Sequence, residues 1–355
     1  MAETGNNSRR RGRRRTKNKQ RRGMSRMSVI GAICLALVLW AGWQSTRYLA
    51  RYKGETAWVY IPAGADAAAV GDSLRSALGT EFGNKVAALW SGDAAASRGA
   101  YRVQPGQRAW RVARDISRGR QTPVRVTFNN VRTLDQLAER MAARLDFNKE
   151  QFLGAVDSIA RAEKIGHDTF ATYFLPDTYE AFWTVTPNAL IGKFRDNHDR
   201  FWTPERRRKA AALGLSPARV AIVASIAEEE SANAVERPVI GRLYINRLHR
   251  NMRLQADPTV KFATGDFAAR RITGDMLRFP SPYNTYRVDG LPPGPIRLAS
   301  ARTNDVILDS APHNYIYMCA KADFSGTHAF AADYATHQAN ARAYHRALNE
   351  RNLHR

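Results

Sequence analysis

The chain is poor in the residues that several common kinds of protein chemistry need. Only two of its 355 residues are cysteines, Cys34 and Cys319, which excludes a disulfide framework and a zinc site of paired cysteines. Its eight histidines form no HExxH motif and no close pair, so we expect no metal site and no cofactor. GxSxG, SxxK and phosphate-loop glycine patterns are also absent. Acid/base chemistry by a carboxyl group is the class that remains.

Acidic residues are also scarce, since 32 Asp and Glu face 55 Lys and Arg and leave a net charge of +23. Residues 1–26 hold eleven basic side chains and the single acid Glu3. Such a run could neutralise nucleic-acid phosphates. Beside an apolar segment, a topology signal and contact with anionic headgroups explain it more simply, so we expect a basic cytoplasmic tail and no nucleic-acid partner.

Residues 27–46 carry no charge and include the apolar run MSVIGAICLALVLWAGW. A helix of this length spans about 30 Å, the thickness of a bilayer's hydrocarbon core. A buried helix or a secretory signal is the alternative, but Trp40 and Trp43 stand where a signal peptidase needs small residues. The sequence therefore predicts a single transmembrane helix, with the N-terminus in the cytoplasm and the chain from about residue 47 outside it.

The exported part alternates strand and helix patterns and predicts an α+β fold. A strand over 58–61 precedes a helix, and a second strand over 101–103 precedes another helix that stops at Gly119. The second segment, about 98–122, is similar to a LysM-like glycan-binding module. We expect a small membrane-proximal α/β region over 47–122 and a larger α+β domain over 123–355.

One helix carries the strongest candidate for acid/base chemistry. Ser216 and Pro217 predict its start, and it continues through ARVAIVASIAEEESANA. On a helical wheel, Glu230 falls near the centre of the aliphatic face, whereas Glu228 lies at its edge and Glu229 on the polar side. Burial against that face would raise the Glu230 pKa from about 4.3 toward neutrality. The alternative is that the three glutamates are only a charged helix end.

A set of sequence blocks over about 170–340 resembles the endolytic murein transglycosylases of the MltG or YceG-like family. In order, the blocks are FLPDTYE, ASIAEEES, ERPVIGRLYINRL, MRLQADPTV, PYNTY, GLPPGPI and GTHAF. The resemblance implies cleavage between N-acetylmuramic acid and N-acetylglucosamine by the second glutamate of an E-x-E-[ST] motif. That residue is Glu230, followed here by Ser231.

The resemblance also implies a glycan cleft and a cellular setting. The residues that would line or support the cleft are Asp257, Thr259, Asn284, Tyr286, His328 and Phe330. Each has a structural alternative, such as a turn, a cap or a strand hydrogen bond. The implied partners are peptidoglycan strands, the inner (cytoplasmic) membrane and cell-wall synthases of the penicillin-binding type.

The expected reaction needs one carboxyl group, which acts as acid and then as base and leaves a 1,6-anhydro end on muramic acid. A lysozyme-like hydrolase would need a second carboxylate, for which Asp257 is the candidate. A noncatalytic murein-binding scaffold that uses the LysM-like unit is a further alternative.

Overall fold

A computed structural model describes residues 26–351, which form mostly helices with three two-stranded antiparallel sheets. This mixed composition confirms the predicted α+β class. The basic tail predicted over 1–26 lies outside the described residues except for its last residue.

The first helix, α1 (Arg26–Leu49), is long and apolar. None of its segment 29–49 is buried against the rest of the chain. Near its end, the Arg47 guanidinium lies 3.5 Å from the centre of the Trp43 ring. The helix extends the predicted span of 27–46 toward the C-terminus, and it is consistent with a membrane anchor or a signal sequence.

The next unit joins the two strand and helix segments into one fold. Its elements are β1 (Ala57–Ile61), α2 (Ala67–Leu78), α3 (Thr80–Leu89), β2 (Gly99–Val103) and α4 (Ala109–Ser117). β1 pairs with β2, with Val59 opposite Tyr101, and α4 shares a hydrophobic core with α2 and α3. The strand and helix of the 98–122 segment therefore pack with residues 52–86 and do not form a core by themselves.

A second unit contains β3 (Val124–Phe128), α5 (Leu134–Ala142), α6 (Lys149–Ala162), α7 (His167–Phe170), a 3₁₀ turn (Ala171–Tyr173), β4 (Asp177–Ala181) and α8 (Pro187–Phe201). Residues 124–128 alternate apolar and polar side chains, a pattern typical of a half-buried strand, and they form β3. The Thr133 side chain accepts the N–H of Gln136 and caps the start of α5. Aromatic side chains fill the core, where Phe128 stacks on Tyr179 and meets Phe194 edge-on.

The third unit has its own core and carries the candidate site. It comprises α9 (Pro204–Ala212), α10 (Pro217–Glu230), α11 (Arg237–His249), α12 (Asp257–Thr264), α13 (Gly274–Arg278), α14 (Ala301–Leu308), β5 (Tyr317–Ala320), β6 (His328–Ala331) and α15 (Tyr334–Glu350). α10 packs against α11, α12 and α14. A side chain at Gly241 would clash with Ile307, so this glycine lets α11 and α14 approach closely. The range predicted as one domain, 123–355, thus contains two hydrophobic cores.

The two ends of α10 are set by serine side chains. Ser216 accepts the N–H of Arg219 at 3.3 Å, which confirms the predicted start. The helix ends at Glu230, four residues earlier than predicted, because Ser231 is extended (φ −134°, ψ 125°). Its hydroxyl accepts the N–H of Asn233 and donates to Glu236. Glu230 is therefore the last residue of a buried helix.

Candidate active site

A cleft of about 220 Å³ opens at the C-terminal end of α10. Its walls come from α10, α11, the start of α12 and the β5–β6 hairpin. The polar side chains that line it include Glu230, Tyr244, Arg247, Asp257, Tyr286 and His328. The structure thus brings together four of the residues singled out from sequence, namely Glu230, Asp257, Tyr286 and His328.

The Glu230 carboxyl accepts one hydrogen bond at the cleft and has no counter-ion in contact. The Tyr244 hydroxyl donates to its Oε1 at 2.5 Å. Among the described residues, no Lys, Arg or His nitrogen lies within ion-pair distance of this carboxyl. The residue keeps some accessible surface, so its carboxyl forms part of the cleft wall and is not sealed in the core.

The surroundings of Glu230 raise its pKa to about 7. Desolvation by the surrounding protein is the largest cause, and the negative charge of Asp257 acts in the same direction. The Tyr244 hydrogen bond and the more distant charges of Arg247 and Lys261 oppose the shift. The end of a helix also disfavours negative charge. This carboxyl can therefore hold a proton near neutral pH and release it at little cost.

The two preceding glutamates have a different environment. Glu229 forms ion pairs with Arg297 at 2.8 Å and with Arg132 at 3.1 Å. Glu228 accepts the backbone N–H of Ser300 at 3.2 Å and lies 3.5 Å from Arg237. Both carboxylates thus have arginine guanidinium groups as counter-ions. The interpretation of the triplet as a charged helix end fits these two residues and not Glu230.

Asp257 is a second carboxyl group at the cleft, in a more solvated position. It is the first residue of α12, is exposed, and accepts the Tyr286 hydroxyl at 2.7 Å. Burial and this hydrogen bond raise the Tyr286 pKa well above its usual range, so the phenol remains a donor.

His328 is held at the cleft by Glu236. The Glu236 carboxylate accepts the backbone N–H of His328 at 2.8 Å and contacts its Nδ1 at 3.0 Å. Burial alone would raise the Glu236 pKa, but the His328 hydrogen bonds and the Ser231 hydroxyl lower it overall. A carboxylate acceptor favours the N–H on Nδ1. In a neutral ring with this tautomer, Nε2 carries no hydrogen and can accept a hydrogen bond.

Thr259 and Asn284 lie in the interior, away from the cleft surface. Thr259 is fully buried, and its hydroxyl contacts the Thr285 hydroxyl at 2.7 Å. The Asn284 amide donates to three backbone carbonyls of the segment 276–279 and accepts the N–H of Tyr286. Thr259 holds the start of α12, which presents Asp257, and Asn284 holds the loop that presents Tyr286. Contact of either residue with a glycan stays a prediction.

Phe330 is also set back from the cleft. It is half-buried against the core of the third unit and stacks on Tyr315 with 5.8 Å between ring centres. Its ring lies 6.2 Å from that of His328. Phe330 therefore anchors β6, the strand that also carries His328, to the core of the third unit.

Sequence reasoning assigned no site role to Tyr244 or Arg247. Tyr244 lies among the buried apolar residues of α11, and the hydroxyl of a buried tyrosine is the signal that a polar partner lies within reach. Arg247 donates to the carbonyls of Ile316 at 2.6 Å and Leu254 at 2.7 Å, and so connects the hairpin to the loop before α12. Within residues 26–351, no three His, Cys, Asp or Glu side chains cluster as a metal site requires.

Comparison with protein families identifies the chain's relatives. The model of the YceG-like family matches residues 59–343, about four-fifths of the sequence. The chain belongs to the YceG-like family. The match begins in β1 and ends in α15, so it includes the cleft and all three units described above.

Individual relatives agree with this assignment. An endolytic murein transglycosylase of Bacillus subtilis is 25% identical over 284 residues, which cover 75% of this chain and 79% of that protein. An enzyme of the same name from Streptococcus pneumoniae is 26% identical over 152 residues, 42% of this chain and 27% of its own length. A crystal structure of a yceG-like protein from Listeria monocytogenes superposes with a TM-score of 0.54 at 25% identity, covering 80% of this chain and 98% of that one.

Proposed function

We propose that this protein is an endolytic peptidoglycan lytic transglycosylase with Glu230 as its catalytic acid and base. The observation that carries the proposal is a carboxyl group with a pKa of about 7 in a polar cleft, next to two glutamates that are neutralised by arginines. The names of the curated relatives support murein glycan as the substrate.

In the proposed reaction, protonated Glu230 donates its proton to the glycosidic oxygen as the bond to the muramic acid anomeric carbon breaks. The sugar passes through an oxocarbenium-like state. The Glu230 carboxylate then removes the proton from the C6 hydroxyl of the same muramic acid. That oxygen bonds to the anomeric carbon, which leaves a 1,6-anhydro end and a free N-acetylglucosamine hydroxyl. Water is not consumed, and Glu230 regains its proton.

Tyr244 would act as a positioning residue for this proton transfer. Its hydroxyl fixes Oε1 of Glu230 at 2.5 Å and leaves Oε2 for the substrate. The hydrogen bond also stabilises the carboxylate formed after proton donation, because a donor to a carboxylate favours its charged form. His328 and the Tyr286–Asp257 pair are available for sugar hydroxyls.

The setting proposed for the reaction is the outer side of the cytoplasmic membrane, with α1 as a single-pass anchor. The apolar surface of α1 and the basic residues before it support this orientation. A reporter enzyme that works only after export should be active when it is fused after Arg355. Activity of a reporter that works only in the cytoplasm would contradict the proposal.

The product of cleavage tests the function directly. Purified peptidoglycan treated with the full chain should release strands of mixed length whose new muramic acid ends are about 18 mass units lighter than hydrolysed ends, since no water is added. Mass spectrometry of the fragments, with heavy-oxygen water as solvent, checks this.

Two other outcomes correspond to the alternatives. Reducing ends that carry the heavy oxygen would indicate a hydrolase and make Asp257 the second carboxylate. Binding to peptidoglycan with no released fragments would indicate a noncatalytic scaffold.

A further inference from the structure

A second groove lies far along the chain from Glu230, where the β1–β2 sheet meets the β3–β4 sheet. It has a volume of about 410 Å³, and its lining includes Trp58, Tyr60, Arg102, Arg125, Arg144 and Glu180. We call it the sheet-junction groove. None of the cleft residues takes part in it.

The aromatic side of the groove follows from strand geometry. Trp58 and Tyr60 are two residues apart on β1, so they point to the face opposite the core residues Val59 and Ile61. Their rings are 6.2 Å apart and nearly parallel, at 19°. The Trp183 ring meets Tyr60 edge-on at 5.3 Å. Tyr60 nevertheless remains 43% exposed, which leaves a ring face available to a flat ligand.

The charged side of the groove has more cations than anions. Arg102 stands directly opposite Trp58 in the sheet, and Arg144 follows α5; both are exposed. Among the described residues, neither guanidinium lies within 4 Å of a carboxylate. Arg125 has a loose contact with Glu180 at 3.6 Å. Two arginines are therefore free to bind carboxylates of a ligand.

Polar contacts connect the segments that flank the two sheets at the groove. Gln121 donates to the Thr184 hydroxyl at 3.0 Å, and Arg98 pairs with Asp146 at 2.7 Å. The N–H of Thr122 donates to the carbonyl of Ala100 at 2.8 Å. These bonds fix the relative position of the aromatic and basic side chains before any ligand arrives, which lowers the entropy lost on binding.

We infer that the sheet-junction groove binds a second segment of the glycan strand, with sugar rings on Trp58 and Tyr60 and carboxylates on Arg102 and Arg144. This inference rests on the proposed function, because that function supplies a substrate that combines pyranose rings with carboxylates. The carboxylates come from the peptide stems or, where stems are absent, from the lactyl groups of muramic acid. The groove would hold a long strand while Glu230 cleaves elsewhere along it.

The test measures binding to the full chain in detergent micelles, with Glu230→Gln in every variant so that the strand is not cut. The probes are fluorescent glycan strands with intact stems, the same strands after removal of the stems by an amidase, and a neutral hexamer of N-acetylglucosamine. Comparison of the first two probes identifies the source of the carboxylate.

We expect the double variant Arg102→Gln, Arg144→Gln to weaken strand binding about tenfold, because each exposed ionic contact contributes about threefold. Binding of the neutral hexamer should be unaffected. Tyr60→Ala should weaken binding of all three probes about fivefold, through lost ring contact. The matched control is Arg208→Gln with Arg302→Gln, since both arginines are exposed and the same two charges are removed elsewhere.

Strand binding by the groove variant that equals the control would overturn the inference. An equal loss of binding to a single-stranded oligodeoxynucleotide would also overturn it, because the groove would then be a general anion patch. The proposed function fails separately: if the chain with intact Glu230 released no fragments while the groove variants still weakened strand binding, only the groove assignment would stand.

Discussion

The two sides of the end of α10 present the same residue type in opposite electrostatic environments. Glu228 and Glu229 face an arginine-rich side, where Arg132, Arg237 and Arg297 form ion pairs with their carboxylates. Glu230, one residue further on, turns into the cleft and contacts a phenol hydroxyl in place of a cation. Position on the helix, and not residue type, decides whether a glutamate pairs with arginines or lines the cleft.

The largest expected effect is the loss of activity in Glu230→Gln. The amide is nearly isosteric but cannot donate and recover a proton, so glycan cleavage should fall about 100-fold or more. Fragment release from purified peptidoglycan measures this. If Glu228→Gln abolished cleavage and Glu230→Gln did not, the comparison of the two sides would be reversed.

The same substitution should change the pH dependence of stability. The folded-state pKa of Glu230, about 7, lies above its usual value of 4.5, so the native state holds the proton more strongly than the unfolded state. This carboxyl therefore lowers the free energy of unfolding as pH rises from about 4.5 to 7, by up to about 3 kcal/mol. Urea unfolding of Glu230→Gln at pH 5 and pH 8 should lack that part of the decline.

Substitutions on the arginine side should affect stability more than catalysis. Glu229→Gln leaves Arg297 and Arg132 without their shared carboxylate in a mostly buried site, which should lower the free energy of unfolding by about 2 kcal/mol. Cleavage by the folded enzyme should remain within about threefold of the original rate. Asp275→Asn is the control, since its ion pair with Arg278 is largely exposed. A 100-fold loss of cleavage in folded Glu229→Gln would contradict the comparison.

Tyr244→Phe tests how the cleft tunes Glu230. Removal of the hydroxyl takes away the hydrogen bond that lowers the Glu230 pKa, so the alkaline limb of the pH–rate profile should move to higher pH. The rate at the optimum should fall about tenfold, because the carboxyl loses its fixed orientation. A merely structural role would reduce activity without moving the limb.

The smallest effect is expected for Glu236→Gln, which disturbs His328 and not the acid itself. The amide can still accept one of the His328 hydrogen bonds, so we expect a rise in KM of about threefold with kcat nearly unchanged. Steady-state kinetics on defined glycan oligosaccharides separates the two constants. A fall in kcat alone would place His328 in the chemical step.

Local sequence patterns predicted the helices and strands that carry the site better than they predicted where α10 ends and which side chains reach the cleft. Ser216 and Pro217 start α10 as their cap and N1 preferences require, and Val124–Phe128 is a strand as its alternation indicates. The end of α10 was missed because Ser231 leaves the helix to bond Glu236, a partner that helix propensity does not include. Thr259 and Asn284 stand in the same short sequence motifs as Asp257 and Tyr286, but only packing placed Thr259 and Asn284 in the interior.

The sequence by itself determined that an apolar helix begins the described chain and that Glu230 lies on the aliphatic face of α10. The first follows from the length of an uncharged run, and the second from the periodicity of one helix. Tertiary structure decided the rest. It paired β1 with β2 across about forty residues and brought Tyr244, Asp257 and His328 around one carboxyl. It also supplied arginines to Glu228 and Glu229 from three separate segments, two of them distant in sequence. A carboxyl's pKa depends on the charges and solvent around it, and these come from parts of the chain that only folding brings together.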